Sequence, residues 1–200
     1  MTNPVSTASV SFHSHNEKEA SGWVKRWSHL VKPGGCVLDV ACGHGRHALW
    51  FHRLGYRVVL VDRSQEAIDG IAIPASACKK SVADIENGPW PFAGQQFDAV
   101  VVTNYLWRPL WPELLASLAP GGVLIYETFA VGNETVGKPS NPNFLLRPGE
   151  LLEVCQSLGV VGFEDGFLPS TDTSAARFVQ RIAAVNKATW TPEPTRYLLA

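Results

Sequence analysis

One stretch limits the folds open to this 200-residue chain more than any other. An apolar run from Cys36 to Ala41 carries a single acid, Asp39, then breaks into Cys42-Gly43-His44-Gly45 and resumes at helical spacing from Gly45 to Leu54. A continuous apolar run bounded by glycine reads as a strand buried on both faces, and the periodic stretch after it as a helix packed against that strand. The alternation continues. Arg57 to Val61 reads as a strand, Gln65 to Ile71 as a short helix, Ala77 to Ala83 as a weaker strand and Phe97 to Thr103 as a clear one. Trp107 to Leu118 reads as a helix stopped by Pro120-Gly121-Gly122, and Gly122 to Thr128 as the next strand. Pro148 to Leu158 reads as a helix, with Pro148 in its first turn and Gly159 after its end. The last two apolar runs, Val160 to Phe167 and Arg177 to Val185, have no helix between them and suit an antiparallel pair.

Strands that are apolar throughout and alternate with helices require a mainly parallel sheet covered on both faces. The expected architecture is α/β: a single Rossmann-like, doubly wound, mostly parallel sheet with a C-terminal antiparallel strand pair. Residues 1–16 read as a flexible tail, 17–186 as the domain and 187–200 as a C-terminal tail. The first helix is expected to open at Asn16 as its cap. Glu17 and Glu19 complement its positive end, Trp23, Trp27 and Leu30 recur along it, and Lys32-Pro33-Gly34-Gly35 ends it.

Composition narrows the function. Hydrophobic residues make up 46% of the chain and charged ones 18%, against a usual ~25%, which excludes disorder as the overall state. A net charge of −1 with no basic stripe gives no footprint for nucleic acid. No apolar run approaches the ~20 residues of a membrane span, and residues 1–20 lack a signal-peptide core. The four cysteines are widely spaced and form no CxxC pair, so they are expected to be reduced thiols in a cytoplasmic protein. All six histidines precede residue 53, but His47 and His52 do not share a helix face, and no metal site is expected.

In a doubly wound sheet, ligands bind at the carboxyl ends of the strands, where strand order reverses. The exit of the first strand is therefore the place for chemistry. Gly43 and Gly45 allow close backbone approach to a ligand, and the helix that follows offers unpaired N–H groups to a carboxylate or phosphate. Asp39 is an acid in a buried run and needs a partner, either a ligand ammonium or backbone donors of the loop. Asp62 ends the second strand and can accept two ribose hydroxyls. Asp84, after the third strand, can accept from an adenine amino group. Gly43, Gly45 and Ala48 also satisfy a nicotinamide fingerprint, although Asp39 serves no dinucleotide role.

This order of features resembles the class I S-adenosylmethionine (SAM)-dependent methyltransferases. The resemblance rests on the glycine loop Val37-Leu38-Asp39-Val40-Ala41-Cys42-Gly43-His44-Gly45, on Asp62 and Asp84, on Phe97 to Val102 and on Pro120-Gly121-Gly122-Val123-Leu124. Gly45-Arg46-His47, Gly55-Tyr56-Arg57-Val58 and Asn143 to Leu151 resemble the tellurite-resistance branch of that superfamily. The resemblance implies SAM as cofactor, S-adenosylhomocysteine (SAH) as product and a small-molecule acceptor, an anionic or chalcogen nucleophile among the possibilities. It implies a cofactor site of Asp39, Ala41, Gly43, Gly45, Asp62, Arg63, Asp84, Ile85 and Asn104. Two other functions stay open: a module that holds the cofactor without turnover, and an NAD(P)-dependent oxidoreductase.

The acceptor is expected between residues 104–108 and the aperiodic segment 130–147, whose length suits a lid. Tyr105 and Trp107 are placed to face a sulfonium, and Arg147 either grips an anionic acceptor or pairs with Glu150. Trp107, Leu110, Trp111, Leu114 and Leu118 form a helical stripe that suits core packing. No side chain stands out as a base. Glu127 and Tyr105 come nearest, by their positions at strand ends.

Overall fold

The structure is a computed structural model that describes residues 19–171, 174–187 and 196–199. Seven strands form one sheet: β1 (Cys36–Val40), β2 (Arg57–Asp62), β3 (Cys78–Val82), β4 (Phe97–Thr103), β5 (Leu118–Phe129), β6 (Gly159–Leu168) and β7 (Arg177–Val185). Their order is β3-β2-β1-β4-β5-β7-β6. The first five are parallel, and β7 pairs antiparallel with both β5 and β6, as the helix-free link between the last two runs requires. Chain order reverses between β1 and β4, which opens the crevice in which such sheets bind ligands.

Alternation along the strands builds two cores. Val37, Ala99, Val101, Val123, Ile125, Ala183 and Val185 face α1 (Gly22–Trp27), α2 (Arg46–Arg53) and α3 (Gln65–Asp69). Leu38, Val40, Val100, Val102, Leu124, Ile182 and Ala184 face α4 (Trp111–Ala116) and α5 (Glu150–Val154). Both faces are therefore covered.

Three helices differ from their expected bounds, each for a local reason. The first begins at Gly22, because the Ser21 hydroxyl accepts from the amides of Trp23 (3.1 Å) and Val24 (3.5 Å); Asn16 and Glu17 lie outside the described residues. The helix expected over 107–118 is broken up. Pro109 confines Arg108–Leu110 to a 3-10 turn, Pro112 starts α4, and Leu118 already pairs with Phe97 as the first residue of β5. The tryptophan stripe is thus not one helical face, although Trp107 and Trp111 do pack on the second core. Gly149, left-handed at φ 71°, is the residue before α5, so Pro148 stays outside that helix.

Candidate functional site

The carboxyl ends of β1, β2, β3 and β4 surround a cavity of about 250 Å³. It is lined by Ala41, Asp62, Arg63, Ala83, Asp84, Ile85, Glu86, Asn104 and Tyr105. Among the described residues, the non-glycine positions with positive φ are Ala41 (51°) and Asn104 (54°), and both border this cavity. Left-handed backbone costs an ordinary residue about 1–2 kcal/mol, and strain of this kind gathers where a ligand is held. The Tyr105 hydroxyl is buried here without a hydrogen-bond partner.

Asp62 organises the glycine loop. Its Oδ2 accepts from the Gly43 amide at 2.8 Å and its Oδ1 from Ser64 at 2.9 Å. A carboxylate has about four lone-pair sites, so two remain for ligand hydroxyls. Gly43 and Gly45, at φ 53° and 72°, are not among the residues that line the cavity. Asp39 is outside the lining too, 1% exposed, with Oδ2 accepting the Ala48 amide at 3.0 Å. The partner that a buried acid needs is thus a helix amide. Burial pushes its carboxyl up to about 7, a rise that this hydrogen bond and Arg46 only partly offset. Asp84 closes a turn: Oδ1 accepts from the amides of Glu86 and Asn87, and Oδ2 from the Asn87 side chain. These contacts, led by Asn87, hold its carboxyl below the usual range.

Residues 37–122 match the model of a methyltransferase domain. A malonyl-[acyl-carrier protein] O-methyltransferase of Serratia marcescens is 32% identical over 107 residues, 50% of this chain and 41% of that protein. TehB from Haemophilus influenzae shares the fold with a TM-score of 0.68 at 21% identity, over 84% of this chain and 63% of that one. A SAM-dependent methyltransferase from Methanosarcina mazei gives 0.65 at 16% identity, over 86% of this chain and 100% of that one. Over residues 37–122 the chain is thus similar to a methyltransferase domain, and it shares the fold of solved SAM-dependent methyltransferases. It spans less than half the length of the curated relative it matches.

Besides its cavity, the domain holds a polar cluster on the α1/α2 face that sequence reasoning missed as a unit. His47, 2% exposed, accepts the Ser21 amide at Nε2 (3.3 Å), so its proton sits on Nδ1 and is donated to Thr103 Oγ1 (3.3 Å). Burial, with Arg46 adding, pushes this imidazole down to about 3, so it is neutral. Glu127 accepts from the Ser21 hydroxyl at 3.0 Å and from Arg181 at 3.1 Å, and Arg181 also grips Glu164. The partners are 106, 56 and 54 residues apart along the chain, so no local pattern announces them.

The residues expected to meet the acceptor fare unequally. Tyr105 lines the cavity, whereas Trp107 is packed against the second core. Arg147 contacts Glu150 at 3.4 Å and Glu153 at 3.3 Å, so its guanidinium serves the α5 surface. The partner that grips Glu150 is Arg108, through Nε at 2.7 Å and Nη2 at 2.9 Å. Arg108 also donates to the carbonyls of Asn143 (2.8 Å) and Leu145 (2.9 Å). Segment 130–147 is therefore anchored: Leu146 bridges Ala130, Asn133 accepts the Phe178 amide, and Arg108 ties down its far end. Among the described residues, no helix is long and apolar enough to cross a membrane.

Proposed function

We propose that this chain is a SAM-dependent methyltransferase acting on a small acceptor that is already an anionic or chalcogen nucleophile. The observation that carries the cofactor reading is the cavity at the reversal of strand order, bordered by both strained non-glycine residues and by the two acids at neighbouring strand ends. Its chemistry fits a nucleoside sulfonium. The free lone pairs of Asp62 suit ribose hydroxyls, Ile85 supplies an apolar wall, Asp84 borders the adenine end, and the unpartnered Tyr105 hydroxyl awaits a polar group. Asp39, Gly43 and Gly45 act indirectly, by fixing the course of the loop.

When bound, the cofactor supplies an electrophilic methyl carbon, and the electron pair of the breaking carbon–sulfur bond returns to sulfur. The protein's part is orientation and exclusion of water, worth up to ~7–11 kcal/mol for a near-attack geometry. The acceptor class follows from the two side chains nearest to being a base. Both oxygens of Glu127 are engaged, by Ser21 and Arg181. Burial, with the Glu86 charge adding, pushes the Tyr105 phenol well above its ordinary range. Neither is suited to take a proton at neutral pH, so an acceptor with an available lone pair fits best.

Calorimetric titration with SAH, and NADH in a parallel cell, tests the reading. Saturable SAH binding is expected, weakened roughly 10- to 100-fold by Asp62→Ala as charged hydrogen bonds to the ribose are lost. Heat with NADH and none with SAH would make the chain an oxidoreductase instead.

A further inference from the structure

Strand β4 leaves its ladder at Thr103, the last of its residues in register with β5, opposite Glu127. The next two residues, Asn104 and Tyr105, line the cavity, and Asn104 does so in the left-handed region at φ 54°. Asparagine visits that region more readily than most residues, but still at a cost, and a strained residue persists only where its surroundings over-determine it. Three contacts do so here. The Asn104 amide donates to the Glu127 carbonyl at 2.9 Å. From the α1/α2 face, His47 donates to the Thr103 hydroxyl at 3.3 Å. From the opposite face, where its ring packs in the α4/α5 core, Tyr126 donates its hydroxyl proton to the Tyr105 carbonyl at 2.8 Å. The turn at the cavity wall is thus held on both sides of the sheet.

Packing alone does not account for Tyr126. It is 1% exposed, in register with Val102 of β4 and Ile182 of β7, and a phenylalanine would fill that space with no polar atom to satisfy. Its hydroxyl meets a carbonyl that has left the sheet: among the described residues, no backbone amide donates to Tyr105 O. Tyr105 is also the residue whose own buried phenol lacks a partner at the cavity. We propose that Tyr126 is a positioning residue of the cofactor site, whose hydroxyl holds the turn Thr103–Tyr105 in the shape that presents Asn104 and the Tyr105 phenol to the ligand, with His47 bracing the same turn from the other face. This rests on the methyltransferase reading above and adds to it a side chain that does not line the cavity. A turn held ready binds at full affinity, whereas a released turn relaxes toward ordinary backbone and binds more weakly by the fraction of molecules still correctly shaped.

The experiment pairs SAH titration of the full chain with NMR of Asn104, whose Cα and amide shifts report the sign of φ. Tyr126→Phe keeps the ring and removes the hydroxyl; Thr103→Val keeps the branched shape and removes the acceptor of the His47 bond. Tyr126→Phe is expected to bind SAH about tenfold more weakly, and Thr103→Val about threefold, in keeping with the longer bond it loses. In the ligand-free Tyr126→Phe chain the Asn104 shifts should move away from their positive-φ values, and saturating SAH should restore them. A purely structural role for Tyr126 predicts neither change in the folded protein. SAH affinity within about twofold of the parent in Tyr126→Phe overturns the proposal, as does weaker binding with the Asn104 shifts unmoved. Should Tyr126→Phe fail to fold, Thr103→Val decides alone: unchanged affinity together with unchanged Asn104 shifts overturns the clamp. Failure of SAH to bind the unmodified chain is a different result, which removes the cofactor reading and this role for Tyr126 with it.

Discussion

The two halves of the sheet are held together by different means. On the β3-β2-β1 side the decisive contacts are short in sequence and end on backbone amides: Asp62 to Ser64 and Gly43, Asp39 to Ala48, Asp84 to Glu86 and Asn87. On the β5-β7-β6 side they are long in sequence and mostly join side chains: Ser21 to Glu127, Arg181 to Glu127, Arg108 to Glu150. A half built on local backbone contacts has its conformation written in one short motif. A half built on remote ion pairs can change partners without changing fold.

The largest effect is expected from Arg108→Ala. It leaves Glu150, whose side chain is 1% exposed, with the Arg147 amide and a long contact to the Arg147 guanidinium, and it frees the carbonyls of Asn143 and Leu145. Removing one partner of a buried pair costs about 3–5 kcal/mol. Urea unfolding measures it, and a loss below about 1 kcal/mol would break the contrast by making that side independent of its ion pairs.

Next comes an opposition in pH dependence between Asp39, held by a local contact, and His47, held by remote ones. Asp39 titrates near 7 in the fold against an ordinary 3.8, so its protonated form is favoured there; its contribution to stability is full at low pH and is lost as pH rises from about 4 to 7. His47 titrates near 3 against 6.5, so its neutral form is favoured; its contribution is full above about 6.5 and is lost as pH falls toward 3. Arg46 faces both groups, and Asp62 faces Asp39. Each span corresponds to at most roughly 5 kcal/mol. Asp39→Asn keeps an acceptor for the Ala48 amide and should gain stability relative to the parent as pH rises from 4 to 7. His47→Gln should gain relative to the parent as pH falls from 6.5 to 4. Parallel slopes in the two variants would show that these groups do not titrate as their surroundings imply.

Within the local half, two glycines separate conformation from space. Gly45 is left-handed, and a Cβ there would meet the Ile71 side chain at 2.7 Å. Gly43 is left-handed with nothing within 4 Å. Gly43→Ala should cost about 1–2 kcal/mol for the backbone alone, and Gly45→Ala about 2–4 with overpacking added. Thermal unfolding of both variants checks the order. Equal losses would mean that Ile71 yields freely.

The same contrast explains what could be read without the structure. Strand bounds such as Phe97–Thr103 and Arg177–Val185 follow from apolar runs alone, and six expected cofactor residues (Ala41, Asp62, Arg63, Asp84, Ile85 and Asn104) line one cavity because each lies at, or within three residues of, the carboxyl end of a strand. The helix expected over 107–118 failed on Pro109 and Pro112, which were visible but given too little weight against the apolar spacing. Arg147 was the obvious mate for Glu150 because it is three residues away, yet the fork comes from Arg108, 42 residues away. His47 had no legible role because Ser21 and Thr103 define it, and only the folded chain brings those two together.

The smallest effect isolates that point about distance. Arg147→Ala acts on the same carboxylate as Arg108→Ala, but its side chain is 67% exposed, its contacts are 3.4 and 3.3 Å, and its backbone amide, the shorter bond to Glu150 at 2.7 Å, survives the substitution. Exposed pairs of this kind contribute about 0–1 kcal/mol and are screened by salt. The expected loss in urea unfolding is therefore below about 1 kcal/mol and vanishes at high salt. A loss matching that of Arg108→Ala would place the weight of the Glu150 site on its sequence neighbour and undo the distinction between the two halves.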